Sequence, residues 1–133
     1  MSKIITISEA ASIAIHAMVI IASANEPIKV NQLSDLTGAS KNHLAKVMNI
    51  LSKCNMVKST RGPSGGFSLN KPANTISLLN IYECIEGPII YEGCPLNRPF
   101  CPFDKCLLDG AIKRLSDELK SFLSNQYLNL YLK

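Results

Sequence analysis

The segment Arg61-Gly62-Pro63-Ser64-Gly65-Gly66 constrains this chain more than any other. Three glycines and a proline in six residues cannot continue a helix, and they permit a tight backbone reversal. Met56 to Thr60 before it has strand character, and Phe67-Ser68-Leu69 alternates behind it. The stretch is therefore expected to form a β-hairpin with a basic tip. Taken alone, such a turn is an ordinary surface hairpin. What precedes it changes its meaning.

Asn31 is placed to cap a short helix, Gln32 to Thr37, and Gly38 suits the left-handed residue that ends one. Ser40 then caps a further helix, Lys41 to Lys53, whose apolar residues Leu44, Val47, Met48 and Leu51 recur at helical spacing. Two helices joined by a tight glycine-containing turn make a helix-turn-helix. Ser40, Lys41, Asn42, His43 and Lys46 lie in the first turns of its second helix, where a recognition helix reaches base edges. A hairpin directly behind that helix completes a winged helix. Its glycines allow close approach to a phosphate, and Arg61 supplies the charge.

Charge supports the same reading. Residues 1–72 hold eight basic and three acidic side chains, whereas residues 73–133 hold six and seven. Between Leu36 and Tyr82 there is no carboxylate, and the window contains Lys41, Lys46, Lys53, Lys58, Arg61 and Lys71. An acid-free basic window in a chain of net charge +4 fits a polyanionic partner. The 133 residues exclude a large catalytic domain, and a sequence without tryptophan is poorly suited to an aromatic stacking platform. No nucleophile–base pair, P-loop or carboxylate dyad marks an enzyme.

The first helix is expected from Glu9 to about Ala24, capped by Ser8. Residues 1–24 imitate a secretion signal, with a lysine, an apolar run and Ala22-Ser23-Ala24. Glu9 and His16 interrupt that run, and Ile13, Ala14, Ala17, Met18, Ile20, Ile21 and Ala24 fit a buried helix, which is the reading adopted. The apolar run is also too short to span a bilayer. Further on, Ser77 caps a helix, Leu78 to Ile85, stopped by Gly87-Pro88. After Cys106 a long amphipathic helix is expected, with Leu108, Ala111, Ile112, Leu115, Leu119, Phe122 and Leu123 in one stripe. Its partner is either the chain's own core or, preferably, the same helix of a second subunit.

Five cysteines are an odd number, which disfavours a disulfide framework and favours a reducing compartment. Cys54 and Cys84 stand singly among apolar neighbours, as core packing residues do. Cys94, Cys101 and Cys106 cluster in a segment with three prolines in 14 residues, Gly93 to Cys106. Three thiolates suit an iron–sulfur cluster, zinc or simple thiol chemistry, and spacing leaves all three open.

The combination resembles the IscR/NsrR-type bacterial transcription regulators. The resemblance rests on Arg61-Gly-Pro-Ser-Gly-Gly-Phe-Ser-Leu behind a helix-turn-helix, the three-cysteine loop and the long helix after it. It covers nearly the whole chain. It implies a mainly α fold with a small β-hairpin wing, in which a winged helix-turn-helix (1–75) and a cysteine loop with a C-terminal dimerisation helix (76–133) form one compact unit. It implies a homodimer on a palindromic DNA operator. It implies a 2Fe–2S or 4Fe–4S cluster on Cys94, Cys101 and Cys106, sensing redox state, iron–sulfur status or nitric oxide. The cysteine spacing departs from the near-equal gaps commonest in that family, and Asp109 stands where one branch places a histidine ligand. For the fourth ligand His16 is preferred, followed by Glu9, Ser12 and Asp109.

The expected function is thus a cytoplasmic, sequence-specific DNA-binding regulator controlled by a cluster. Lys41, Asn42, His43 and Lys46 would face the major groove with Ser40, and Arg61, Gly62, Pro63, Ser64 and Gly65 would lie at the minor groove. Two alternatives remain. One is a cluster-free regulator of the same fold that uses its cysteines as thiol sensors or as a partner site. The other is a small iron–sulfur electron carrier.

Overall fold

The computed structural model describes residues 5–90 and 100–132. Five helices and one hairpin follow the chain in the order α1 (Glu9–Ser23), α2 (Val30–Thr37), α3 (Lys41–Lys53), β1 (Val57–Thr60), β2 (Gly66–Leu69), α4 (Leu78–Glu86) and α5 (Ala111–Ser124). Short 3-10 turns stand at Ala73–Thr75 and Leu128–Tyr131. This is the mainly helical, winged helix-turn-helix architecture expected from the sequence.

α1 is the central helix. Ala11, Ala14, Ala17 and Met18 are fully buried. The three alanines bring the backbone of α1 close to its neighbours, chiefly α4, with α3 on another side. Ser8 caps α1 by accepting from the Ala11 amide. Its hydroxyl also donates to the Glu86 carboxylate at the end of α4, which sets a negative charge beside the positive end of the α1 dipole. Leu33, Leu44, Met48, Leu51, Ile76, Ile81 and Leu128 complete the core, and each is 2% exposed or less. One cluster of buried residues runs from Ile13 on α1 to Leu128 near the C-terminus.

α2 begins at Val30, before the expected Asn31 cap. The cause is local: the Lys29 amide donates to Gln32 Oε1 at 2.9 Å, so a bond from Gln32 closes the first turn. α2 ends at Gly38, whose φ of 77° is left-handed as expected. The turn into α3 is fastened by side chains. The Ser34 hydroxyl donates to the Ala39 carbonyl at 2.7 Å, and the Thr37 hydroxyl accepts from the Ala39 amide at 3.2 Å. Ser40 then caps α3 through the His43 amide, and the helix ends at Lys53, as the sequence indicates.

In the hairpin, Val57 pairs with Leu69 and Thr60 with Gly66. Ile28, ahead of α2, adds a third extended segment: it donates to and accepts from Phe67 at 2.9 and 2.7 Å. Gly66 makes that approach possible. Its φ is 143°, and a Cβ there would stand 2.8 Å from the Ile28 backbone.

The long helix starts later than its apolar pattern indicates. Residues 107–110 form a turn, with Asp109 at φ 52° and Gly110 at φ 70°, and α5 begins at Ala111. Its stripe is divided. Leu123 is buried, and Leu119 and Ile112 are half-buried, whereas Leu108, Leu115 and Phe122 are 46%, 42% and 54% exposed. The chain then returns to the domain. The Leu78 amide donates to the Gln126 carbonyl and the Leu128 amide to the Ile76 carbonyl, at 2.8 and 3.0 Å.

The sequence-based view of Cys54 and Cys84 as separate packing residues is corrected. They are joined in a disulfide, with Cα atoms 6.3 Å apart, between the C-cap of α3 and the last turn of α4. Packing brings the two helices side by side there, and spacing along the chain does not reveal it.

Candidate functional site

α3 buries Leu44, Val47, Met48 and Leu51, and this fixes which side chains it turns outward. Lys41, Asn42, Ala45, Lys46 and Asn49 are exposed and His43 is half-buried. These exposed positions recur at helical intervals and lie together on one face. Asn49 was not singled out by sequence reasoning, although the same periodicity indicates it. Ser40 is exposed, but its hydroxyl is engaged by the His43 amide, so it sets the start of α3.

The wing follows α3 in the chain, and its first strand β1 packs against α3. Arg61, Gly62, Pro63 and Ser64 are exposed. Gly65, expected at the tip, is buried: its amide donates to the Gly62 carbonyl at 3.0 Å, and a Cβ there would run into the Thr60 and Arg61 backbone. Gly65 therefore closes the turn rather than presenting a surface. Lys29 is the residue that sequence reasoning missed. Its ammonium donates to the Pro63 carbonyl at 2.9 Å and pins the wing tip to the residue capping α2.

The second candidate group lies on the loop ahead of α5. Cys101 and Cys106 are free and exposed, and Cys94 lies outside the described residues. Backbone N–H groups of Gly110, Leu108 and Asp109 hold the Cys106 thiol below the ordinary cysteine range. They outweigh the Asp109 carboxylate, which acts in the opposite direction. Asp109 and Gly110 take left-handed conformations in this turn, and the Asp109 amide donates to the Cys106 carbonyl at 3.1 Å. Among the described residues no group of three His, Cys, Asp or Glu side chains is gathered as a metal site.

Among the described residues His16, Glu9 and Ser12 are not grouped with a cysteine. They line a groove of about 270 Å³ against Thr37, Gly38 and Ala39, the turn that leads into α3. His16 is exposed, and its Nδ1 stands 2.6 Å from the Ser12 carbonyl oxygen. A carbonyl only accepts, so Nδ1 carries a proton; in the neutral ring that leaves the lone pair on Nε2. Asp109 alone among the four candidate fourth ligands stands with a cysteine.

No helix among the described residues is long and apolar enough to cross a membrane. The fold is shared with solved structures. It is similar to CymR (YrzC), described as the global cysteine regulator of B. subtilis, at 22% identity and a TM-score of 0.79 over 95% of both chains. It is similar to the oxidised form of Staphylococcus aureus CymR at 22% identity and a TM-score of 0.75, over 93% of each chain. It is similar to T. potens IscR at 20% identity and a TM-score of 0.74, over 94% of this chain and 84% of that one. The family model described as Rrf2, iron-dependent transcriptional regulator, matches residues 7–131. With a recognition helix, a pinned wing and a family match over nearly its whole length, the chain belongs to the Rrf2 family of DNA-binding transcription regulators.

Proposed function

We infer that the chain is a homodimeric, cytoplasmic regulator that binds a palindromic operator, and that an iron–sulfur cluster held by Cys94, Cys101 and Cys106 controls its affinity. The observation that supports this reading is the pair of free, exposed thiols Cys101 and Cys106 on the loop ahead of α5. Backbone amides favour the Cys106 thiolate, the form that binds a soft metal. Cys101 supplies a second exposed thiol from the same loop. His16 is the proposed fourth ligand, contributed through its Nε2 from the partner subunit, as the family resemblance implies; among the described residues its groove is lined by Glu9, Ser12, Ile13, Thr37, Gly38 and Ala39. Glu9 and Ser12 share that groove, and Asp109 is the fourth-ligand candidate beside Cys106.

The cluster supplies redox-active iron and a bond set that breaks under oxidation or nitric oxide. The rest follows from this chain's own residues. Cys106 sits in the turn whose left-handed Asp109 and Gly110 set the direction of α5. Leu108, Leu115 and Phe122, seven residues apart and exposed, are the surface proposed to meet the partner subunit. A ligand bond at Cys106 therefore bears on the helix that spaces the two recognition helices. His16 and Glu9 line the groove against Gly38, so a ligand bond there bears on the entry to α3. Lys41, Asn42, Lys46 and Asn49 then face the major groove, with His43 beside them, and Arg61 to Ser64 face the adjacent minor groove.

Anaerobic purification followed by visible absorption and iron and sulfide assays tests the cluster, comparing the wild type with Cys101→Ala. A brown protein with stoichiometric iron and sulfide, lost in the variant, supports it. A colourless protein that reconstitutes nothing overturns it. That outcome favours the second reading, a cluster-free regulator acting through thiols, which the exposed Cys101 and Cys106 and the likeness to CymR also fit.

A further inference from the structure

We propose that Cys54 and Cys84 form a second redox site, a reversible dithiol–disulfide pair that locks the last turn of α3 to α4 and takes low-molecular-weight disulfides as its oxidant. Three observations carry it. The two sulfurs are bonded in this structure, across 30 residues of sequence. Both cysteines are only half-buried, and both line an open groove of about 430 Å³ with Met56, Lys71, Asn80 and Glu83, so a small thiol reagent reaches them. The reduced state has a place for its proton as well: Cys84 Sγ stands 3.6 Å from the Ile50 carbonyl oxygen, which also accepts the Cys54 amide at 3.1 Å. On reduction the two sulfurs separate by side-chain rotation, and this carbonyl is the acceptor nearest to the Cys84 thiol.

The chemistry balances by thiol–disulfide exchange. One cysteine thiolate attacks a sulfur of the small disulfide RSSR; a protein–S–SR bond forms and RS⁻ leaves. The second cysteine thiolate attacks the protein sulfur of that mixed disulfide; the Cys54–Cys84 bond forms and a second RS⁻ leaves. Two protein thiols lose two electrons and two protons, and the small disulfide becomes two thiols. Oxidation turns a hydrogen-bonded contact into a covalent tie at the C-cap of the recognition helix. The site is separate from the loop cysteines and stands whether or not they hold a cluster.

The test uses the full-length wild type in buffers of reduced and oxidised glutathione at varied ratio, quenched by alkylation and mapped by peptide mass spectrometry. The Cys54–Cys84 cross-linked peptide is expected to appear in the oxidising buffers, to vanish with excess reduced glutathione and to return on reoxidation. Hydrogen exchange of the peptide spanning residues 50–57 is expected to slow about tenfold on oxidation. The Cys54→Ser/Cys84→Ser variant is expected to lose that dependence. Full alkylation of both cysteines at every ratio overturns the proposal, as does their capture only as glutathione adducts or in bonds to Cys101 or Cys106. A bond that forms with no change in exchange, or a change that persists in the double variant, overturns the lock.

Discussion

Lys29 Nζ donates to the Pro63 carbonyl across 2.9 Å, and this bond ties the tip of the wing to the residue that caps α2. It spans 34 residues of sequence and adds a side-chain tie at the wing tip to the backbone pairing of Ile28 with Phe67 at the wing's base. The position of the wing tip relative to the start of α2 therefore depends in part on an exposed lysine.

Replacing Lys29 with Met removes that donor and keeps most of the stem. The bond is exposed, so folding stability should change by less than about 0.5 kcal/mol. DNA affinity should fall by about threefold to tenfold, because the wing loses its position and the surface loses a charge. Equilibrium denaturation beside a DNA titration checks both, and an unchanged affinity contradicts the role given to this bond.

Gly66 and Gly38 should separate two kinds of glycine requirement. Gly66→Ala forces a Cβ to 2.8 Å from the Ile28 backbone at a φ of 143°, and should cost about 2–4 kcal/mol. Gly38→Ala meets nothing within 4 Å and carries only the strain of φ 77°, about 1–2 kcal/mol. Urea denaturation with midpoints compared at constant m-value reads the order. Equal midpoints would contradict the close pairing of Ile28 with Phe67.

Lys46→Ala should weaken binding to every DNA sequence and lower the salt dependence by about one phosphate contact. Asn42→Ala or Asn49→Ala should instead relax sequence preference at particular base pairs, by about 1–3 kcal/mol each. Titrations against operator and unrelated duplexes at several salt concentrations distinguish these effects. A Lys46 variant with an unchanged salt slope would remove that residue from the interface.

Cys106 should titrate below the ordinary thiol range, because the amides of Gly110, Leu108 and Asp109 favour its thiolate in the folded chain. The sign follows. A depressed folded value adds stability above the unfolded pKa, and this contribution is lost as pH falls through the folded one. In the reduced, metal-free protein, iodoacetamide labelling of Cys106 followed against pH should show a lower midpoint than in the urea-unfolded chain. Coincident midpoints would show that the backbone amides do not favour the thiolate.

Much of this was legible in the sequence, and the reasons are specific. α3 is bounded by the Ser40 cap and Lys53, and α1 and α4 start behind Ser8 and Ser77, because a capping hydroxyl before an apolar stripe is a local signal. α2 began early because Gln32 bonds the Lys29 amide, a side-chain choice that periodicity does not register. α5 began late because Asp109 and Gly110 take left-handed conformations, which ends the apolar register at Leu108 without breaking its pattern. The outward-facing residues of α3 follow from its buried stripe, yet Lys29 was missed because its partner is a carbonyl in a distant turn. The Cys54–Cys84 pairing was illegible for the same reason: only the packing of α3 on α4 brings positions 30 residues apart together.

The central claim is that one surface binds DNA and the cysteine loop sets how tightly. It is tested most directly by selecting a duplex from a random library and measuring its affinity for anaerobically prepared protein, cluster-loaded and cluster-free. A palindrome bound by two chains is expected, with affinities that differ by about tenfold or more between the two forms. Equal affinity of the two forms for the selected duplex would contradict it.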